Sequence, residues 1–420
     1  MKAVIIAGGK GTRIAELYPD IPKPMIPIDG IPVLQREIEC LRKQNISELI
    51  ITVGYKADKI MNYFGNGENF GVHIEYFVEK SPLGNAGALL KIKEKLNDDF
   101  LLLNADSIFE IDLRRMIAFH KRTGGKATIA VHPNDHPFDS GLIVYDSNYK
   151  VTQWLNKEEQ RNEYYRNIVN AGVHILSTSI FDKFFKDEIL DLDRDILKPL
   201  IANGALYAYK TSEYIKDMGT PKRLLQVESD FKRNIPFKRN LLERQKAIFL
   251  DRDGTINKYV GFLTDINDFK LLPKVGDSIK YFHKLGYLVI VATNQPVVAR
   301  GEITVYELDE IHKKMETLLG EMGTYIDALY YCPHHPDNGY LGEVRELKIE
   351  CECRKPKPGM LLKAAKDFNI DLSNSWMVGD SESDILAGKY AGCRTCLLGF
   401  DRNKEANVCC ADLYEFTKML

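Results

Sequence analysis

Apolar positions along the chain fall into two alternating rhythms. From residue 1 to about 230, short continuous runs (KAVIIA, LIITVG, FLLLNA, ATIAVH) alternate with stretches such as PVLQREIECLRKQ, where apolar residues recur at helical spacing. Continuous runs of this length suit strands buried on both faces, and the alternation predicts a parallel sheet covered by helices. FKRNIPFKRNLLERQ then breaks the rhythm with a basic, poorly periodic segment, after which KAIFLD, YLVIVATNQ, SWMVGD and CRTCLLGF restart it. The expectation is α/β throughout: two Rossmann-like domains at 1–234 and 247–420, joined by a linker at 235–246. Neither half shows a repeat of 20–50 residues.

Composition adds limits. The 420 residues are 45% hydrophobic and 28% charged, with a net charge of -2 and a pI near 6.5. That balance leaves no basic excess for a nucleic-acid backbone or an anionic membrane, and points instead to small-molecule substrates. The start MKAVIIAGG runs directly into a glycine-rich turn, unlike a signal peptide, so a cytoplasmic enzyme is expected. Self-association is left open. Seven of the eight cysteines lie after residue 330, which in a reducing compartment suggests metal binding more readily than disulfides.

Two strand ends carry the candidate chemistry. In AGGKGTR, Gly8, Gly9 and Gly11 let the backbone approach a polyphosphate that any Cβ would obstruct. The spacing is neither GxxxxGK[ST] nor GxGxxG. Arg13 and Lys23 are placed to meet a leaving pyrophosphate, and Asp106 and Asp217, each at a strand end, form a seat for Mg²⁺. In IFLDRDGT, Asp251 would be the nucleophile that forms an aspartyl-phosphate, and Asp253 the acid and base that serves the leaving oxygen and then water. Asp380 would join both around a second Mg²⁺, with Thr293 bonding the transferred phosphoryl group and Lys355 offsetting its charge. Cys332, His334, Cys351 and Cys353 offer two half-sites for a structural Zn²⁺ that ties down the insertion between them. His335 reads as a bystander, and Cys393 and Cys396 as core residues.

The N-terminal order GGKGTR, PKPM, PLGNAGAL, NADS, NAGVHIL and DMGTP resembles the sugar-1-phosphate nucleotidyltransferases, most closely the mannose- and heptose-1-phosphate guanylyltransferase branch. This resemblance implies attack of a sugar 1-phosphate on the α-phosphorus of a nucleoside triphosphate. Leu83, Gly84, Ala86 and Gly87 would border nucleobase and sugar, Asn170 and Gly172 the sugar, and Lys157 its phosphate. Asn85 replaces the threonine common in that motif, and Asn156 and Glu158 flank Lys157 where a Glu-Lys-Pro run is usual. The C-terminal order DRDGT, TNQPVVARG, CPHHP, CECRKPKPGM and GDSESD resembles haloacid dehalogenase superfamily phosphatases, in particular the heptose 1,7-bisphosphate and histidinol-phosphate groups. It implies that Asn294 belongs to the substrate contacts and that Arg354 holds an anomeric phosphate. Ser381 stands where a lysine is common, and Pro296-Val297 replaces Ser-Gly. Together the resemblances imply a bifunctional enzyme that removes the 7-phosphate of D-glycero-D-manno-heptose 1,7-bisphosphate, with the anomer left open, and then makes GDP-heptose. Two rivals compete: a histidinol-phosphate or other sugar-phosphate phosphatase fused to a mannose- or glucose-1-phosphate transferase, and a non-catalytic sugar-nucleotide sensor.

Overall fold

The computed structural model describes residues 1–9, 14, 17–81, 83–157, 164–183, 189–399 and 405–420. Gly11 and Arg13 therefore lie outside the described residues, as does Glu158. The chain forms two compact units: Met1–His132, Ile143–Leu155 and Asn170–Asn240 in the first, and Pro133–Leu142, Asn156–Val169 and Leu241–Leu420 in the second.

In the first unit, Ala3–Ala7 lies between the parallel strands Glu48–Val53 and Phe100–Asn104. Its apolar run is buried on both faces, as the absence of alternation predicts. Strand order reverses here, with His73–Val78 beyond one neighbour and the antiparallel Val169–Leu176 beyond the other. Such a reversal opens a crevice at the carboxyl end, where Gly8 follows. A separate ribbon pairs Ser107–Glu110 with Tyr214–Asp217 antiparallel, setting Asp217 opposite Ser107.

The second unit holds a wholly parallel six-stranded sheet in the order Ala328–Cys332, Leu288–Asn294, Ala247–Leu250, Trp376–Gly379, Arg394–Leu398, Val408–Cys410. Ala247–Leu250 is again the switch point, and its four residues are fully buried. Apolar side chains cover both faces: Ile248, Leu250, Val289 and Val291 on one, Phe249, Ile290, Met360 and Met377 on the other.

Two boundaries differ from the sequence expectation. Residues 235–246 are not a bare linker, since Ile235–Lys238 is helical and Leu241 and Gln245 are buried. The stretch 156–169 groups with the second unit, where polar groups of its described part find partners: Arg166 pairs with Asp309 and Glu316, both at 2.6 Å, and Thr317 and Glu316 accept the N–H groups of Tyr165 and Asn167. Among the described residues, no helix is long and apolar enough to cross a membrane.

Candidate active sites

In the first unit, a Cβ on Gly8 would lie 2.7 Å from Oε1 of Glu79, whose Oε2 accepts the N–H of Leu83 at 3.4 Å. Glu79 thus links the glycine turn to the loop at 83–87. Burial pushes its carboxyl above the ordinary value. That loop is docked in turn on residues 190–192, where Leu190 donates to the Leu83 carbonyl and accepts from Ala86, at 3.0 and 3.1 Å. Gly84 sits at φ +78, and a Cβ there would fall 2.3 Å from the Leu190 carbonyl oxygen. Asn85, the departure from threonine, accepts the N–H of Leu192 at 2.7 Å through Oδ1, at the start of the π-helix Leu192–Leu197. The sequence signalled neither Glu79 nor the 190–197 segment, because both contacts join residues distant along the chain or carry no motif.

Lys23 and Asp106 come together, Nζ to Oδ2 at 2.8 Å. Asp217 accepts from Gly219 N at 2.6 Å and from Arg223 Nη1 at 2.8 Å. The carbonyl of Asp106 receives the N–H of Met218 at 3.1 Å, which places the two aspartates on adjoining chains. Arg223 is a further cation at this site, one turn into the helix after DMGTP, where sequence gave it no role. Asn170 uses Oδ1 on Gly172 N and faces His174 Nε2 with it, at 3.2 and 3.0 Å, leaving its Nδ2 as a donor. Gly172 has φ +78, and a Cβ there would lie 3.3 Å from Asn104 Nδ2. Lys157 is exposed and belongs to a segment of the second unit.

In the second unit, Asp251, Thr293 and Asp380 stand at the carboxyl ends of three adjacent strands. Lys355 Nζ, fully enclosed, bonds Asp251 Oδ1 at 2.8 Å and Asp384 Oδ1 at 2.5 Å. Oxygen atoms of Asp251, Asp380 and Asp384 all lie within 4.8 Å of one another. Burial pushes Asp251 up to about 7 against the pull of Lys355, and burial with the charge of Asp384 pushes Asp380 up to about 6. A divalent cation would relieve both penalties, so these oxygens fit Mg²⁺. Gly254, at φ +83, is required by the same cluster: a Cβ would sit 1.8 Å from Asp380 Oδ2.

Asp253 is not part of this carboxylate group. Its oxygens accept from Arg252 at 2.7 to 3.2 Å and from Asn257 Nδ2 and Gln295 Nε2, both at 2.9 Å. Burial alone would raise its pKa, but these donors outweigh burial and hold it low. The third carboxylate of the cluster is Asp384, the last residue of GDSESD. Arg252 is completely buried, bonded also to Gln295 Oε1 and His312 Nε2, at 3.0 and 3.2 Å. Asn294, expected against substrate, spends its amide on the backbone of Lys355 in both directions at 3.0 Å, so it positions that lysine.

The four proposed zinc ligands converge. The three Sγ atoms of Cys332, Cys351 and Cys353 lie 3.2 to 3.5 Å apart, and Nδ1 of His334 lies 3.6 Å from Cys332 Sγ and 3.3 Å from Cys353 Sγ. A tetrahedron with metal–sulfur bonds of about 2.3 Å has edges of about 3.8 Å, so the donor set fits Zn²⁺. Cys393 and Cys396 instead enter the cores on opposite faces of the sheet and cannot act as a C-x-x-C pair.

Comparison with known proteins follows the same division. Residues 2–234 match the Nucleotidyl transferase family model, and residues 352–409 match the HAD-hydrolase-like model. The D-glycero-beta-D-manno-heptose-1,7-bisphosphate 7-phosphatase of Haemophilus ducreyi is 42% identical over 155 residues, 37% of this chain and 82% of that protein. The phosphatase of the same name from Pasteurella multocida is 37% identical over 183 residues, 42% of this chain and 97% of its own. Among solved structures, HddC from Yersinia pseudotuberculosis shares 28% identity with a TM-score of 0.48, covering 55% of this chain and 99% of that one.

Proposed function

Because the chain belongs to the nucleotidyl transferase family through residues 2–234, and through its C-terminal unit to the family of the heptose-1,7-bisphosphate 7-phosphatases, we propose that it catalyses two successive steps toward GDP-heptose. The first hydrolyses the 7-phosphate of D-glycero-D-manno-heptose 1,7-bisphosphate; the second transfers GMP from GTP to the resulting 1-phosphate. The observation that carries this reading is the Lys355 bridge between Asp251 and Asp384 at the switch point of a parallel sheet, next in sequence to the cluster of Cys332, His334, Cys351 and Cys353.

In the phosphatase, Asp251 attacks phosphorus in line while Thr293 and Lys355 bind the transferred oxygens. Mg²⁺, held by Asp251 and Asp380, would supply charge neutralisation at phosphorus. Asp253 must carry a proton to release the sugar oxygen, then accept one from water. The fixed charge of Arg252 favours the second of these states. Zn²⁺ on Cys332, His334, Cys351 and Cys353 would fix Arg354 and Lys355, which directly follow the last ligand.

In the transferase, Lys23 and Arg13 would stabilise the departing pyrophosphate, with Asp106 and Asp217 as the seat of Mg²⁺. Glu79 supports guanine: a carboxylate offers only acceptors, and the guanine edge presents N1–H and N2–H₂ side by side. The test supplies α- and β-heptose 1,7-bisphosphate in turn with each common nucleoside triphosphate and identifies products by mass. GDP-heptose is expected; an ADP or CDP product would overturn the base, and turnover of histidinol phosphate in preference would overturn the sugar.

A further inference from the structure

Arg252 stands between the two aspartates of DRDGT with no exposed surface, and its guanidinium is engaged on three sides. Nε and Nη2 face Asp253 at 2.7 to 3.2 Å, Nη2 also donates to Gln295 Oε1 at 3.0 Å, and Nη1 donates to His312 Nε2 at 3.2 Å. Gln295 closes the circuit, since its Nε2 donates to Asp253 Oδ2 and to Thr293 Oγ1, both at 2.9 Å. An arginine has no acceptor, so Nε2 of His312 accepts and the ring proton sits on Nδ1. That Nδ1 is buried and has no hydrogen-bond partner among the described residues. A buried donor left unbonded is costly, so packing alone does not account for a ring turned toward Arg252.

His312 belongs to the helix Val305–Glu321, where Asp309 and Glu316 share its face. Arg166 spans those two carboxylates, Nη2 to Asp309 Oδ1 and Nη1 to Glu316 Oε1, both at 2.6 Å. Burial first, and then the charges of Arg252 and Arg166, hold the His312 ring neutral. Only the neutral ring has an acceptor to offer Arg252. Arg166 falls in sequence within residues 2–234, the stretch that matches the nucleotidyl transferase family, yet its carboxylate partners lie on a helix of the second unit.

We infer that Arg166, His312 and Arg252 are positioning residues of the phosphatase, acting in series to fix the carboxyl of Asp253 toward the leaving oxygen of the sugar phosphate. The inference rests on the phosphatase reading above and extends its machinery to a residue outside the phosphatase-like part of the sequence. None of the three touches the reacting phosphorus. Arg166 holds the helix face that carries His312, His312 sets the plane of the Arg252 guanidinium, and that planar fork, with Gln295 and Asn257, sets the Asp253 oxygens. Without His312, Arg252 keeps its charge but loses the bond that orients it. Proton delivery to the oxygen that departs as its bond to phosphorus breaks then suffers, while attack by Asp251 does not.

The test uses kcat/KM, which reports the steps up to departure of the leaving group. Heptose 1,7-bisphosphate, whose sugar oxygen needs a proton, is compared with p-nitrophenyl phosphate, whose phenolate leaves without one. The proteins are full-length wild type, His312→Leu, Arg166→Met and the double variant, with the melting temperature measured on each. Efficiency on the bisphosphate should fall about tenfold in His312→Leu and about threefold in Arg166→Met, while that on the aryl phosphate stays within about twofold. The double variant should be no slower than His312→Leu, because both act along one path. His312→Gln, whose side-chain carbonyl can accept from Arg252, should recover part of the loss. If His312→Leu does not fold, Arg166→Met carries the same comparison. Equal losses on both substrates, additive losses, or an unchanged bisphosphate efficiency would overturn the inference. A wild type that releases no phosphate from the bisphosphate would sink the phosphatase reading itself.

Discussion

Asp251 shows how far a single residue can be read in advance. It ends an apolar run and heads a DxDGT pattern, and the structure sets it against Lys355 and beside the carboxylates of Asp380 and Asp384. Gly254 was equally legible as a turn, but its tightest constraint is Asp380, 126 positions later in the chain. Gly254→Ala combines a left-handed backbone cost of about 1–2 kcal/mol with a direct clash. It should abolish phosphate release and lower the melting temperature of the second unit, as read by calorimetry. Glu79→Gln replaces one acceptor by a donor facing the proposed guanine edge. Losing a hydrogen bond to a charged group costs about 1.5–3 kcal/mol, so kcat/KM for GTP should fall roughly 10- to 100-fold. Unchanged GTP kinetics would place the nucleobase elsewhere. Glu37, fully buried with neither oxygen bonded, is raised well above 4.5 by burial, with Asp106 adding to it. The folded state therefore keeps a proton that the unfolded chain releases above about pH 4.5, and stability falls as pH rises from there toward the folded pKa. Glu37→Gln should flatten that slope in pH-dependent unfolding of the first unit, by up to about 1.4 kcal/mol per pH unit.

At the scale of elements, the strands were visible because runs such as AIFL and LVIVA have no polar interruption, and burial on both faces is what they require. Loops were less visible. The 83–87 loop carries a recognisable pattern, yet its shape depends on backbone bonds from Leu190 and on Asn85 capping Leu192, and no local rule connects those positions. Gly84→Ala would drive a methyl into the Leu190 carbonyl and should raise KM for nucleotide and sugar phosphate together, while leaving phosphate release from the bisphosphate unaltered. The insertion between Cys332 and Cys353 is a parallel case, with little regular structure of its own beyond the short turn Arg345–Leu347. The proposed four-ligand zinc clip would supply its order. Stripping zinc with a chelator should increase hydrogen exchange across 333–352, while the strands Ala247–Leu250 and Trp376–Gly379 stay protected. Protection unchanged after metal loss would mean that packing alone holds the insertion.

For the whole molecule, two sheets with two switch points imply two chemistries with separate residues. Asp251→Asn should eliminate phosphate release and leave GDP-heptose formation from supplied heptose 1-phosphate at wild-type rate; Asp106→Ala should do the reverse. Each variant is assayed with both substrates, and loss of both reactions from one substitution would contradict the division. The sequence by itself determined the class of fold, the runs that form most strands and most acidic groups at the strand ends, because apolar runs and the turns that stop them are local properties of the chain. It also singled out Cys332, His334, Cys351 and Cys353 as two paired half-sites, and the structure brings these four side chains together. Only the tertiary structure decided that Asp253 turns to a buried arginine while Asp384 joins Asp251 and Asp380, that Asn294 serves a backbone, that His335 faces Arg300, and that residues 156–169 group with the second unit. These are choices among partners far apart in sequence, made by burial: once water is excluded, each polar group must take whichever partner the packing brings within reach.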